Sequence, residues 1–265
     1  MTKLSNLIYP ILFIIGYILA ISILLFPLEE INADTILFIV FPYLALSIAI
    51  FGFIYRYKQE RFSFSSQSSQ FLSSDRLLFW GSVPWHYGIT IILLVHLIAF
   101  TLVTEWGTLL SSTLIIVFFE VTGWVITLMV IVGLLLLIIR RIINPKVYVA
   151  TTFVDWIMLL VLLIQVGSGG YIAFIGYMTD LGFGSQWFGN TVVPWMVSLV
   201  TLNPSTVSIA AFPLIIKLHM VNALILLAIF PFTRLVHVFT VPITYIWRPI
   251  QVVVWNRKIF VDEES

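Results

Sequence analysis

The sequence predicts an all-α protein, a polytopic membrane helix bundle with about six transmembrane helices. Hydrophobic residues make up 61% of the chain and charged residues only 9%, whereas about 25% of a typical soluble domain is charged. The apolar residues fall into runs of about 20 residues, the length that a helix needs to cross the hydrocarbon core of a membrane. The 265 residues are enough for five or six such spans joined by short loops.

The first apolar run, at about residues 7–26, is predicted to be a retained transmembrane helix rather than a cleaved signal peptide. Only Lys3 precedes it as a charged residue, the run is long enough to span, and no small-residue cleavage site follows it. We therefore predict three regions. They are an extra N-terminal helix with an outer loop at residues 1–35, a main membrane domain at 36–247 and a cytoplasmic tail at 248–265.

Five further spans follow along the chain. The second span of the protein contains Pro42, a residue that can kink a span where neighbouring helices support it. A more polar stretch at residues 186–202 has the Trp, Phe and Met residues of an interfacial helix. The five spans are predicted at about residues 36–55, 83–103, 113–139, 153–177 and 212–240.

Lysine and arginine are distributed among the loops in a way that predicts orientation. The loops at residues 56–82 and 140–152 and the C-terminal tail contain nearly all of them, whereas the loops at 27–35, 104–112 and 178–211 contain none. Because basic loops stay on the cytoplasmic side, both termini of this multi-pass protein of the cell membrane are predicted to be cytoplasmic. A net charge of +1 gives no basic surface that would favour nucleic acid.

All four histidines lie in two of the predicted spans, His86 and His96 in one and His219 and His237 in the last. Ionisable side chains inside a membrane are uncommon and point to a functional site. His219 and His237 are 18 residues apart, or five full turns, which predicts that both rings leave one face of a single helix about 27 Å apart. His86 and His96 are ten residues apart, an offset of about 80° that still lets both face the bundle interior.

The two histidine spans run in opposite directions, so depth in the membrane pairs His86 with His237 and His96 with His219. Each pair suits one haem b with an imidazole on either side of the iron, a ligation that favours electron transfer. Cysteine is absent, so a haem here would be held non-covalently. The sequence therefore predicts two stacked haems b between two of the helices. The candidate contacts for their propionates are the arginines at one membrane face, Arg56, Arg140, Arg141 and Arg234.

Two other classes of protein stay open at this point. A transporter with a histidine-lined metal or proton path would usually add Asp, Glu or Cys within the spans, and Glu120 is the clearest intramembrane acid. The other alternative is a structural anchor whose histidines bind no haem. The glycine cluster at residues 167–170 is most simply interpreted as close helix packing.

Several short motifs lie along the chain from about residue 41 to the C-terminus. The strongest is the run from Pro231 to His237, Pro-Phe-Thr-Arg-Leu-Val-His, with Leu218-His219 before it. The other motifs are Phe41-Pro42-Tyr43, Tyr55-Arg56-Tyr57, Ser68-Ser69-Gln70, His86 with His96, Arg140-Arg141 with Pro145-Lys146, Ala150-Thr151-Thr152 with Asp155, and Val193-Pro194-Trp195. Together these motifs make the chain resemble the gamma subunit family of respiratory nitrate reductases, membrane cytochromes b that anchor a molybdenum enzyme.

The resemblance implies a diheme cytochrome b domain at residues 36–247 that oxidises quinol near the outer membrane face. It implies that His96 and His219 hold the haem beside the quinol, and that His86 and His237 hold the haem facing the cytoplasm. Electrons would then pass to an iron–sulfur subunit and a molybdenum catalytic subunit, where nitrate is reduced, so no residue of this chain is predicted to act on nitrate. A nitrite oxidoreductase and a heterodisulfide-reductase-like or sulfur oxidoreductase complex stay open as alternatives, because their chemistry also sits in other chains.

The sequence departs from the family pattern at three points. The family usually has five spans, and this chain adds one at its N-terminus. Val95 stands where the family usually has glycine, and no lysine occurs between His96 and Arg140, where well-studied members carry one that is proposed to help the quinol site. The quinol-site candidates that the region offers are Val95, Glu105, Glu120 and Trp124.

Overall fold

The computed structural model describes residues 32–60, 75–109, 111–178 and 191–239. The predicted N-terminal span at residues 7–26, the serine-rich part of the loop that follows the second predicted span, and the C-terminal tail lie outside these ranges. The predicted limits of the three regions, after residues 35 and 247, stay predictions.

The described residues form helices and connecting turns without a strand, which confirms the predicted all-α class. Five of these helices are long and apolar enough to cross a membrane, which confirms the predicted membrane bundle. They correspond to the last five of the six predicted spans. Their bounds are Ala33–Gln59, Arg76–Thr101, Thr113–Ile143, Phe153–Phe174 and Leu214–Phe232.

We number the helices along the described part of the chain. The first, α1, begins as Ala33–Thr35, passes through a π-helical segment at Ile36–Val40 and continues as Phe41–Glu60. Two 3-10 segments, Phe230–Phe232 and Arg234–Phe239, follow the last helix, α9. The other helices are α2 (Arg76–Thr101), α3 (Val103–Leu109), α4 (Thr113–Ile143), α5 (Pro145–Val149), α6 (Phe153–Met178), α7 (Val193–Val200), α8 (Val207–Ala210) and α9 (Leu214–Ile229).

The spans alternate in direction, and one end of the bundle gathers arginine side chains; we call it the arginine end. Arg140, in the last turn of α4, forms an ion pair of 2.9 Å with Asp75, which precedes α2. The Asp75 carboxylate also caps α2 by accepting hydrogen bonds from the N–H groups of Leu77 and Leu78. The hydrogen bond from Arg140 is the largest of the effects that lower the pKa of Asp75 below its usual value. Charge therefore joins two spans at this end.

The π-helical segment of α1 is explained by Pro42. Proline has no N–H, so the carbonyl of Phe38, four residues earlier, loses its partner within the helix. The indole Nε1–H of Trp195 on α7 donates to that carbonyl at 2.8 Å, and the two aromatic rings meet edge to face with centres 6.2 Å apart. Phe38 and Trp195 are both buried. The Trp195 side chain, which is distant in sequence, thus supplies the hydrogen bond that Pro42 cannot give to the Phe38 carbonyl.

Substituting Trp195→Phe is expected to lower the free energy of unfolding by about 1–3 kcal/mol, because the buried Phe38 carbonyl loses its donor. Thermal unfolding in detergent measures the change. The matched test repeats Trp195→Phe in a Pro42→Ala background, where the restored backbone N–H at position 42 can serve the Phe38 carbonyl. The cost should then shrink, and equal costs in the two backgrounds would show that Trp195 does not compensate for the proline.

Helices α2 and α4 approach each other so closely that their backbones meet at a glycine. A Cβ atom added to Gly133 would lie 2.8 Å from the carbonyl oxygen of Gly81 and 2.9 Å from the backbone nitrogen of Trp85. Trp85 and Leu134 are buried beside this contact in the apolar core that α2 and α4 share with α6. Small residues let transmembrane helices approach in this way, and the contact lies next to the first histidine of α2.

The last span is interrupted, and the prediction that one continuous helix carries His219 and His237 is wrong. Helix α9 ends at Ile229, and the chain is extended at Thr233 before the second 3-10 segment begins. Pro231 explains the break, because it cannot donate to the carbonyl four residues earlier and its ring collides with that turn. His219 therefore lies on α9, and His237 lies on the separate 3-10 segment.

At the opposite end of the bundle, the structure alters the prediction of an interfacial helix at residues 186–202. Its first residues lie outside the described ranges, and the described part contains α7, where Trp195 is buried against α1 rather than left at a lipid interface. Nearby, Lys217 on α9 donates to both carboxylate oxygens of Asp34 on α1 at 2.8 and 2.9 Å. This ion pair fastens the first described span to the last.

Candidate functional site

Two histidines face each other near the arginine end, between α2 and the last 3-10 segment. The ring centres of His86 and His237 are 6.0 Å apart, and the ring planes make an angle of 72°. Both side chains are half-buried. The structure therefore brings together the pair that depth in the membrane predicted, although the helix break moves one of them onto a separate segment.

Both rings of this pair are oriented by backbone carbonyls. Nδ1 of His86 lies 2.7 Å from the carbonyl oxygen of Ser82, and Nδ1 of His237 lies 2.6 Å from that of Arg234. A carbonyl oxygen only accepts hydrogen bonds, so Nδ1 carries the proton in each ring. The neutral ring then has its lone pair on Nε2, the state that an imidazole needs to bind a metal ion.

The spacing of this pair is compatible with one metal ion between two imidazoles. Bonds from a metal to an imidazole nitrogen are about 2 Å long, so two rings on opposite sides of one ion have centres roughly 6 Å apart. His86 and His237 match that spacing. The described residues contain no group of three or more His, Asp or Glu side chains placed to bind a bare metal ion. Paired imidazoles of this kind suit the two axial positions of a haem iron.

A buried ion pair holds the segment that carries His237. Arg234 Nε donates to Asp155 at 2.8 Å, and its Nη2 donates to the carbonyl of Ala150 at 2.9 Å. Asp155 is only 2% exposed and also accepts from the N–H of Thr152, whose hydroxyl accepts from the N–H of Asp155 in return. This capping box fixes Asp155 at the start of α6, and the ion pair with Arg234 ties that helix start to the histidine segment.

The other three arginines predicted as propionate contacts also lie at the arginine end and also have protein partners. Arg56 Nη1 donates to the carbonyls of Pro231 and Thr233, each at 2.7 Å, and so satisfies backbone groups at the break in the last span. Arg141 donates to the hydroxyl of Thr151 at 3.1 Å, and Arg140 makes the ion pair with Asp75. Their role toward propionates stays a prediction.

The second histidine pair lies toward the opposite end of the bundle and is arranged differently. Nδ1 of His96 is 2.7 Å from the carbonyl of Ile92, so this ring is oriented like the first pair. His219 instead turns toward α6, where both of its nitrogens meet side chains, those of Gln165 at 3.1 Å and Ser168 at 2.9 Å. The pairing of His96 with His219 stays a prediction.

The glycine cluster at residues 167–170 makes room for these contacts. A Cβ atom on Gly169 would lie 2.9 Å from Cε1 of His219, and one on Gly170 would lie 2.7 Å from the Thr127 side chain on α4. Gly167 faces open space. Helix packing explains Gly170 as predicted, whereas Gly169 admits the His219 ring, a use that the sequence pattern did not indicate.

The four quinol-site candidates are spread over the half of the bundle farther from the arginine end. Glu105 lines a cleft of about 520 Å³ between α3 and the start of α4, together with Thr108, Ser111 and Ser112. An apolar groove on α4 adjoins the cleft, and the two share Ile115. The other three candidates lie on α2 and α4. Val95 packs against Ala99, as Ile115 does, Glu120 is half-buried, and Trp124 contacts the ring of Phe174.

Sequence reasoning missed several polar residues that contact or support the histidines. Gln165 and Asn222 stand alone within long apolar runs, and such isolated polar residues in a membrane span are a usable signal of function. Lys217 gave the same signal, two residues before His219. The sequence singled out Asp155 only as part of a family motif, and no local pattern indicated that it forms an ion pair with Arg234.

The fold and these residues define a polytopic helical membrane protein whose paired imidazoles suit a cytochrome of the b type. A family model described as nitrate reductase gamma subunit matches residues 34–256. The chain therefore belongs to the nitrate reductase gamma subunit family, which confirms the resemblance drawn from its motifs.

Individual relatives agree with the family model. The nitrate reductase-like protein NarX of Mycobacterium tuberculosis is 34% identical over 216 residues, which is 79% of this chain and 32% of NarX. The chain thus spans about a third of that relative's length. The nitrate reductase gamma chain of Bacillus subtilis is 30% identical over 80% of this chain and 94% of its own length. The respiratory nitrate reductase 2 gamma chain of Escherichia coli is 28% identical over 81% of this chain and 93% of its own length.

Proposed function

We propose that this chain is the membrane-anchoring diheme cytochrome b subunit of a respiratory nitrate reductase and that it oxidises quinol near the outer membrane face. The observation that carries the proposal is the facing pair His86 and His237, with ring centres 6.0 Å apart. Membership of the gamma subunit family supports it. When bound, two haems b would supply single-electron transfer between quinol and the iron–sulfur and molybdenum subunits of the complex.

In this proposal each histidine has one task, which is to present Nε2 to the iron. His86 and His237 hold one haem, and His96 and His219 hold the other. Hydrogen bonds at Nδ1 fix the ring orientation and keep the lone pair on Nε2, as partners of metal-bound imidazoles commonly do. The apolar core that contains Trp85 also packs against Leu235, so it adjoins the two segments that carry the first pair.

Quinol requires a site with a polar part for its head group and an apolar path for its tail. The cleft beside Glu105 and the adjoining groove past Phe118 offer that combination. The Glu105 carboxylate on α3 is the proposed acceptor of a quinol proton. Glu120 on α4 offers a second carboxylate deeper in the bundle. Val95 and Trp124 line neighbouring parts of α2 and α4.

The arginine end is proposed to face the cytoplasm, because basic residues concentrate on that side of membrane proteins. The iron–sulfur subunit would then dock at this end, beside His86 and His237, and both termini would be cytoplasmic. Lys217 lies near the opposite end, but its ion pair with Asp34 neutralises its charge. Quinol oxidation at that opposite face would release protons outside the cell.

Absorption spectroscopy of the complex purified from membranes tests the proposal. We expect the reduced-minus-oxidised spectrum to contain two haems b per chain, and we expect a quinol analogue to reduce them. Glu105→Gln should keep both haems and slow the reduction by quinol about 10-fold or more, because a proton acceptor is lost. Preparations grown with ample haem that contain none would disprove the proposal, and unchanged reduction of Glu105→Gln would remove Glu105 from the quinol site.

A further inference from the structure

His219 is held in a buried network of side chains that spans α6 and α9. Asn222, one turn after His219, is 5% exposed and donates through Nδ2 to the carbonyl of Val161 at 3.0 Å and to Oε1 of Gln165 at 2.7 Å. Gln165 Nε2 in turn lies 3.1 Å from Nε2 of His219. Ser168, which is also buried, lies 2.9 Å from Nδ1 of the same ring.

The donors and acceptors of this network assign the tautomer of His219. Oε1 of Gln165 accepts from Asn222, so the Gln165 group that faces His219 is the amide N–H, a donor. Nε2 of His219 must therefore accept and carries no proton. On the other side, the Ser168 hydroxyl donates to the carbonyl of Gln165 at 3.1 Å, which leaves its oxygen to accept from Nδ1–H of His219. The ring is neutral and protonated at Nδ1.

This arrangement separates His219 from the other three histidines. Those rings are oriented through Nδ1 by carbonyls of their own segments, whereas His219 is held at both nitrogens by side chains of another helix. The nitrogen that an iron ion would use, Nε2, already accepts a hydrogen bond. The amide of Gln165 thus occupies the direction in which the lone pair of His219 points.

We propose that Gln165 is a positioning residue that latches His219 before haem binds. Its amide keeps the ring neutral with the lone pair on Nε2. If a haem iron took that lone pair, one coordinate bond would replace the one hydrogen bond from Gln165, and no proton would have to leave the ring because Nε2 carries none. This inference rests on the proposed function, since it takes haem as the group that His219 binds.

The two hydrogen bonds of the ring should therefore affect haem binding in opposite directions. The bond at Nε2 must break when iron binds, so Gln165→Met, which keeps the chain length without the donor, should tighten haem binding at this site about 3- to 10-fold. The bond at Nδ1 persists in the loaded site, so Ser168→Ala should weaken binding by a similar factor. A purely structural role would make both substitutions weaken binding.

Haemin titration of the full-length chain in detergent measures these effects. A His86→Ala, His237→Ala background leaves only the pair His96 and His219 to bind, and the Soret band reports its occupancy. Asn222→Leu frees Gln165 from its anchor and serves as a second variant, for which we expect a smaller gain in affinity than for Gln165→Met. Nitrogen NMR of the imidazoles in the haem-free protein should find the proton of His219 on Nδ1.

Several results would overturn the latch. Equal haem affinity of Gln165→Met and the parent, or a shift of Gln165→Met and Ser168→Ala in the same direction, would overturn it while leaving two bound haems and the proposed function intact. A proton on Nε2 of His219 in the haem-free chain would do the same. Failure of the otherwise unaltered chain to bind haem would instead overturn the proposed function, and the latch with it.

Discussion

Replacing His237 with alanine is expected to remove one of the two haems and to reduce electron delivery to the partner subunits more than about 100-fold. The ring of His237 faces that of His86 at 6.0 Å, so under the proposed haem assignment its loss would leave His86 as a single axial ligand. The pair at His96 and His219 lies toward the other end of the bundle and should keep its haem. Quinol should therefore still reduce one haem, while nitrate reduction by the assembled complex stops.

Haem content per chain and nitrate-dependent reoxidation of the quinol-reduced complex measure this result. Val238→Ala is the matched control, because Val238 belongs to the same 3-10 segment, is 62% exposed and is not a predicted ligand. It should keep both haems and nearly full activity. Two haems in His237→Ala, together with normal reoxidation, would contradict the assignment of His237 as a ligand.

The spans were predictable because their signal is local. A run of about 20 apolar residues needs no partner to be recognised as a membrane helix. The pairing of His86 with His237 was also predictable, since alternating spans convert position in the sequence into depth in the membrane. Pro231 was visible in the sequence, but the apolar run continues past it, and proline is tolerated within spans when neighbours satisfy the freed backbone groups. Here Arg56 on α1 donates to the carbonyls of Pro231 and Thr233 at the break, a contact that no local pattern contains.

The surroundings of His219 could not be predicted for a related reason. Gln165, Ser168 and Asn222 are separately recognisable as polar residues in apolar runs, but their assembly depends on the rotation of α6 against α9. The same rotation decides that Gly169 faces His219 while Gly167 faces open space. Residues on one helix that differ by a single position point about 100° apart, so sequence alone does not rank them.

Two glycines on α4, ten residues apart, should respond to substitution by alanine in opposite ways, one losing stability and the other gaining it. Gly133→Ala places a methyl group 2.8 Å from the carbonyl oxygen of Gly81 and 2.9 Å from the backbone nitrogen of Trp85. Both are backbone atoms, so the helices themselves must separate. We expect a loss of about 1–3 kcal/mol in the free energy of unfolding. His86, a proposed haem ligand, follows Trp85 directly in the sequence.

Gly123→Ala is the matched control, since a Cβ atom at Gly123 meets nothing within 4 Å. It should raise stability by up to about 1 kcal/mol, the gain in helix propensity of alanine over glycine. Thermal unfolding in detergent separates the two variants, and the haem content of the pair His86 and His237 should fall only in Gly133→Ala. Packing between α2 and α4 would then set the distance across the histidine pair. Equal stability of the two variants would mean that the helices can part there without cost, and that the spacing of His86 and His237 depends on other contacts.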